Sequence, residues 1–215
     1  MKKLFATAVA AVMICSAIMT TAPAKASEST APIVMEFPLV SFESETASWI
    51  ITGSSFNSEF STTTGVIDGT KALKISLSDR SLDWNIINNL SIIPQNQIWT
   101  IPPGKAMVAS VTNPLDQAIQ IRCNLTDIHG NTRMTFFAIE PNSTREIVWD
   151  ADIIGTPGVK TGKWADDGYS QPGVDTAAGL VALDFYMAEP EVENVMPGLD
   201  TPTYIIDNIT IKDIS

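Results

Sequence analysis

The feature that most limits the fold is a hydrophobic period of two. In Ile119-Gln-Ile-Arg-Cys-Asn-Leu125 every second side chain is apolar, and alternation returns in Ala72–Leu77 and Ala106–Val111. Successive side chains of a strand point to opposite faces of its sheet, so this spacing makes strands with one buried face and does not fit a helical stripe. No window of a dozen residues carries a sustained helical period, and there is no internal repeat or low-complexity tract. Further strands are expected at Val40–Glu43, Ser143–Trp149, Leu180–Met187 and Tyr204–Lys212. Gln120–Ile128 and Arg133–Ile139 flank His129-Gly-Asn131, a short loop with a glycine available for positive φ, which reads as a hairpin. Gly69, Gly104 and Asn113-Pro114 punctuate the other strands as turns. Many short strands without helices point to an all-β fold, an antiparallel β-sandwich or jelly roll. One stretch breaks the pattern: Gly155–Gly179, rich in Gly, Pro and Asp and carrying Trp164 and Tyr169, is a long loop of the kind that usually serves function.

The first 26 residues stand outside this pattern. Lys2 and Lys3 make a basic start, Leu4–Met19 an apolar stretch too short for a comfortable membrane span, and Ala24-Lys-Ala26 a small-residue cleavage site. Residues 1–26 read as a signal peptide, 27–38 as a flexible polar lead-in and 39–215 as the sandwich domain. Cys15 follows Ile14 rather than the small residue of a lipid-anchor motif, so a soluble secreted protein, extracellular or periplasmic, is expected. Cleavage leaves Cys123 as the sole thiol, which excludes an intramolecular disulfide, and its apolar place in the alternation is that of a buried structural residue. One His and one Cys cannot fill a zinc site. The remaining chain has 10 basic residues against 24 acidic ones, a net charge of −14 where the full sequence has −11. Nucleic acid and anionic lipid are therefore poor partners.

The residues also follow a known order. Phe42-Glu43, Gly69-Thr-Lys-Ala-Leu-Lys74, Val111-Thr-Asn-Pro114, Leu125-Thr-Asp-Ile-His-Gly-Asn131 and Tyr204-Ile-Ile-Asp-Asn-Ile209 resemble the succession in galactose-binding-like jelly rolls. The chain is similar in particular to the non-catalytic carbohydrate-binding domains of agarases and related polysaccharide hydrolases, with Phe185-Tyr-Met-Ala-Glu-Pro190 the segment most like the agarase version. The resemblance implies binding without catalysis, because the catalytic barrel of those enzymes has no counterpart in these 215 residues. It also implies a structural Ca2+ that ties the first strand to the last, with Glu43, Glu45 and Asp207 and a carbonyl near Lys71 as ligands. Calcium accepts such oxygen ligands at irregular spacing. The alternative is that Glu43 and Asp207 cap strand ends or hydrogen-bond across the sheet.

Sugar binding asks for flat aromatic faces against the C–H side of a pyranose and polar groups for its hydroxyls. If Ile121, Cys123 and Leu125 face the core, Arg122 and Asn124 face outward; if Leu183, Phe185 and Met187 face the core, Asp184 and Tyr186 face away. Arg122, Asn124, Asp184 and Tyr186 then form one polar face, with Trp84, Trp164, Asp166 and Tyr169 as its walls. Trp49, Trp99 and Trp149 follow strand-like segments and belong to the core. A glycosidase of this size would need two facing carboxylic acids, about 5–5.5 Å apart if retaining. Glu140 and Glu191 lie beside prolines, Glu189 and Glu193 share a late loop, and only Asp184 and Glu146 remain as strand carboxylates. The expected function is an exported, non-catalytic protein that recognises neutral polysaccharide, of galactan or agar type by the resemblance. A surface or matrix sandwich that holds protein partners and a small jelly-roll glycosidase are the alternatives. The first would lack an aromatic and polar cluster on one face, and the second would show two carboxylates in a cleft.

Overall fold

The computed structural model describes residues 31–44, 49–77, 89–161, 171–187, 199 and 202–214, all within the unit Ala31–Ser215. In chain order the elements are β1 (Ile33–Glu36), β2 (Trp49–Gly53), β3 (Phe56–Ser61), β4 (Ala72–Leu77), β5 (Leu90–Pro94), β6 (Gln97–Thr100), β7 (Lys105–Asn113), β8 (Ile119–Asp127), β9 (Thr132–Ile139), β10 (Ser143–Trp149), α1 (Ala151–Ile154), β11 (Lys160–Thr161), β12 (Gln171–Pro172), β13 (Leu180–Met187) and β14 (Thr203–Asp213). The smaller sheet has the order β10-β7-β14-β4-β3, antiparallel throughout. In the larger sheet β13 is central: β8 and then β9 lie along one edge, while β5 and β6 share the other and lead to β2 and β1. The two sheets close on one core, as an antiparallel β-sandwich of the jelly-roll type requires.

That core is the reason alternation was visible. Ile121, Cys123 and Leu125 of β8 and Leu183, Phe185 and Met187 of β13 are at most 1 % exposed. They meet Ile75, Met107, Ile147 and Ile206 from the smaller sheet. Trp99 and Trp149 are buried and Trp49 packs against the cluster, with Trp149 in edge contact with Phe137 and Phe185. Each such side chain contributes roughly 1.5–3 kcal/mol by leaving water, and with no disulfide this burial is the main source of stability.

Several elements depart from the sequence reading. Residues 33–36, expected in a flexible lead-in, form β1, and it pairs with β6 in parallel, against the antiparallel rule of the rest. Val40–Glu43 is not a strand. Val40 makes a single bridge to Ile209, and Phe42 turns into the core against Trp49. α1 is one helical turn, capped where the Asp150 carboxylate accepts from the Ile153 N–H at 3.0 Å and ended by Gly155 at φ 76°. Arg133 ties α1 and the Thr161 and Gln171 positions of the Gly155–Gly179 stretch to the sandwich. Its guanidinium donates to the carbonyls of Ile153 at 2.7 Å, Thr161 at 2.8 Å and Gln171 at 3.2 Å.

Candidate functional site

The outer face of the larger sheet is assembled in rows. Pairing sets Asn124 beside Asp184 and Arg122 beside Tyr186, Asp184 beside Ser91, and Met134 and Phe136 beside Asn124 and Arg122. One row therefore reads Met134–Asn124–Asp184–Ser91 across β9, β8, β13 and β5, and the next reads Phe136–Arg122–Tyr186. The four residues selected from alternation do share a face. Tyr186 is nonetheless buried, at 7 % exposure, so it is a wall of this face and not an open stacking surface.

The polar centre is a network. Burial pushes the Asp184 carboxyl above its ordinary value, and hydrogen bonds from Ser91, Asn89 and Asn124 work in the opposite direction by favouring the charged form. Asn89 also donates to the Ser91 hydroxyl at 2.9 Å. The Oδ1 atoms of Asn89 and Asn124 are buried without a hydrogen-bond partner. Leaving such an acceptor unmet costs about 1–3 kcal/mol, so these two atoms are a local cost of packing the network.

A second constellation lies where the first residues of the sandwich meet β14. Asp207 is fully buried, and its Oδ2 accepts from the N–H groups of Ile67 at 2.6 Å and Asp68 at 2.9 Å. Glu43 Oε1 accepts from Thr70 N–H at 2.7 Å and Lys71 N–H at 2.5 Å, and its Oε2 from the Thr70 hydroxyl at 2.7 Å. Those bonds, the Thr70 hydroxyl foremost, hold the Glu43 carboxyl below its ordinary range. Both carboxylates thus pin one segment, 67–71, which is the hydrogen-bonding alternative weighed for them. As cation ligands they fit in part. Asp207 Oδ1 is buried and unpartnered, whereas Glu43 meets N–H and O–H donors with both oxygens, and no cluster of three or more His, Cys, Asp or Glu suited to a metal occurs among the described residues.

No protein-family model matches the chain, and no curated protein matches it. Solved structures do. An exo-β-agarase is similar over 81 % of this chain and 24 % of its own, at 16 % identity and a TM-score of 0.57. The chain shares its fold with part of an agarase. The agarase AgWH50C and PfGH50B, each at 12 % identity and a TM-score of 0.52 over 77 % of this chain, are similar in the same way. The chain spans about a quarter of the length of these structures.

Within this fold the two strand carboxylates are far from forming a pair. Asp184 lies on the outer face of the larger sheet, and Glu146 on that of the smaller one, where it is bonded to Lys212. The glycosidase alternative had rested on these two. Trp84, Trp164, Asp166, Tyr169 and Glu45 lie outside the described residues, as do residues 1–26. No described helix is long and apolar enough to cross a membrane. Sequence reasoning passed over Asn89, Ser91, Met134 and Phe136. For the last two a signal existed: in Met134-Thr-Phe-Phe137 both alternating sets hold large apolar side chains, which means that one of them lies on the outer face.

Proposed function

We propose that this chain is a non-catalytic carbohydrate-binding domain that holds a neutral polysaccharide on the outer face of its larger sheet. The observation that carries the reading is the polar row on that face: the Asp184 carboxylate is fixed by Ser91, Asn89 and Asn124, with Met134 and Phe136 beside it. Sugar hydroxyls donate to carboxylates and accept from amide groups, and Met134 and Phe136, half-buried beside the row, offer apolar edges to the C–H side of a ring. Arg122 and Tyr186 belong to the same site, and Trp84, Trp164, Asp166 and Tyr169 are proposed as its walls. Agar-type galactan is proposed first among ligands, a choice that the agarases among the similar structures support. Export by way of residues 1–26 belongs to the same reading, since such polymers lie outside the cell. So does a structural Ca2+ held by Asp207 with Glu43, Glu45 and the carbonyl near Lys71, where it would fix the first residues of the sandwich to β14.

A shallow site with a few net polar contacts and one or two stacked rings leaves about 4–7 kcal/mol, a Kd between roughly millimolar and ten micromolar. Calorimetry with neoagaro-, β-1,4-galacto- and xylo-oligosaccharides is expected to give binding in that range to at least one of them. Asn124→Ala and Asp184→Ala should weaken it at least several-fold while the melting temperature stays high enough to assay. Wild-type protein that binds none of the three, or variants that bind as the wild type does, would return the chain to the protein-contact alternative.

A further inference from the structure

The five strands of the smaller sheet each contribute one residue to a row on its outer face. Thr144 pairs with Thr112, Thr112 with Ile205, Ile205 with Lys74 and Lys74 with Glu59. The residues of opposite parity, among them Leu73, Ile75, Val111, Ile147 and Ile206, are in the core, so this row points away from it. With neighbouring strands ~4.8 Å apart, the row spans about 19 Å.

Two adjoining depressions of about 370 Å³ each follow the row. One lies over Glu59, Lys74 and Ile205, the other over Thr112 and Thr144, and Thr64 and Pro114 line both. The segment from Thr62 forms a wall. It is seated closely, because a Cβ on Gly65 would stand 2.8 Å from Ile205 Cγ2 and 3.1 Å from Thr112 Oγ1, and its φ of 75° suits glycine. Gly65 therefore covers Ile205 and Thr112, which are buried, and the two depressions flank this cover and meet at Thr64 and Pro114 as an interrupted groove.

Its chemistry is that of a neutral polyol site. The two charges in it, Lys74 and Glu59, face each other at 2.7 Å and cancel. The Thr112 and Thr144 hydroxyls share a hydrogen bond of 2.7 Å; one donates to the other, which leaves a proton and several lone pairs for a ligand. Thr62, Thr63 and Asn142 add further small polar groups along the walls. A charged ligand would find no unbalanced charge here, and an apolar one little apolar floor.

We infer that this groove is a second glycan-binding site for neutral oligosaccharide, and the inference rests on the proposed function for the class of ligand. Since the outer faces of the two sheets point in opposite directions, a domain with both sites would bridge two polysaccharide chains. The test is an NMR titration of the ¹⁵N-labelled protein with neoagarotetraose, β-1,4-galactotriose and xylohexaose in turn. At least one is expected to shift two separate sets of amides, one around Thr64, Thr112 and Thr144 and one around Ser91, Asn124 and Asp184. Thr144→Val and Thr64→Val, both at exposed positions, should each weaken the first set's titration at least several-fold and leave the second unchanged. Shifts of the second set alone overturn the groove and leave the proposed function standing. Shifts of neither set overturn both, and a groove set unaltered by either variant overturns the groove.

Discussion

At the end of β8, Asp127 is 1 % exposed yet accepts four hydrogen bonds of 2.9 Å, from the N–H groups of His129, Asn131 and Asp175 and from the Asn131 side chain. Burial alone would raise its pKa, but these donors outweigh it and hold the carboxyl below its ordinary value of 3.8. The group therefore binds fewer protons when folded. Its stabilising effect is full above that ordinary value and is lost as pH falls through the lower folded one. Removing it strands several buried donors, so Asp127→Ala should cost about 3 kcal/mol, which is a fall of roughly 6–12 °C in melting temperature for a domain of this size. A calorimetric scan checks this, and a shift under about 2 °C would mean that the hairpin turn is held by other groups. The sequence offered Asp127 only as part of a hairpin, since nothing in Leu125-Thr-Asp-Ile-His says that Asp175, far along the chain, comes to the same carboxylate. Cys123 is the opposite case. Its place among alternating apolar residues predicts burial, and burial pushes its thiol well above the ordinary range, so it is an unreactive core residue.

Among the elements, legibility in the sequence follows burial. β4, β7, β8, β10, β13 and β14 each press one face on the core, and their alternation marks them within a residue or two at most ends. β3, Phe-Asn-Ser-Glu-Phe-Ser, is an edge strand with one neighbour and mostly exposed side chains, so the backbone ladder to β4 rather than a hydrophobic pattern defines it. β1 likewise has β6 as its one strand neighbour among the described residues. The candidate faces were legible to the same extent. Alternation found Arg122, Asn124, Asp184 and Tyr186, but the partners are Ser91 on β5 and Asn89 just before it, and the adjacency of β5 to β13 is set by topology. The ties from Glu43 and Asp207 to segment 67–71 join elements remote in sequence, and there the proposed calcium can be tested. At ~100 times its Kd an ion adds about 2.7 kcal/mol, or roughly 5–11 °C in melting temperature. Scans with calcium and with chelator should differ by that much, and Asp207→Ala should not respond to added calcium; superimposable wild-type curves would remove the ion. The Glu43 tie is acid-sensitive in either case. Its folded pKa lies below 4.5, so the contribution is present above that value and disappears as pH falls through the folded one.

At the scale of the whole molecule, the formal charge of −11 sets what the proposed sites can hold. Both are locally balanced or lightly charged: the groove pairs Lys74 with Glu59, and the larger sheet's face carries Arg122 and Asp184 in adjacent rows. A neutral glycan meets no long-range field and releases no counterions on binding, whereas a sulfated galactan of the same backbone approaches against the protein's net negative potential. Raising salt from 0.01 M to 1 M shortens the screening length from ~30 Å to ~3 Å. Affinity for a neutral agar-type oligosaccharide should therefore stay within about two-fold over that range, since most of its contacts are short and uncharged. Affinity for the sulfated analogue should be weaker at low salt and rise toward the neutral value as repulsion is screened. Titrations of both ligands at the two salt concentrations separate the cases. Sulfated ligand that binds more tightly than neutral at 0.01 M, and weakens with salt, would show that a local cationic patch outweighs the net charge, and the neutral-ligand assignment would then be wrong.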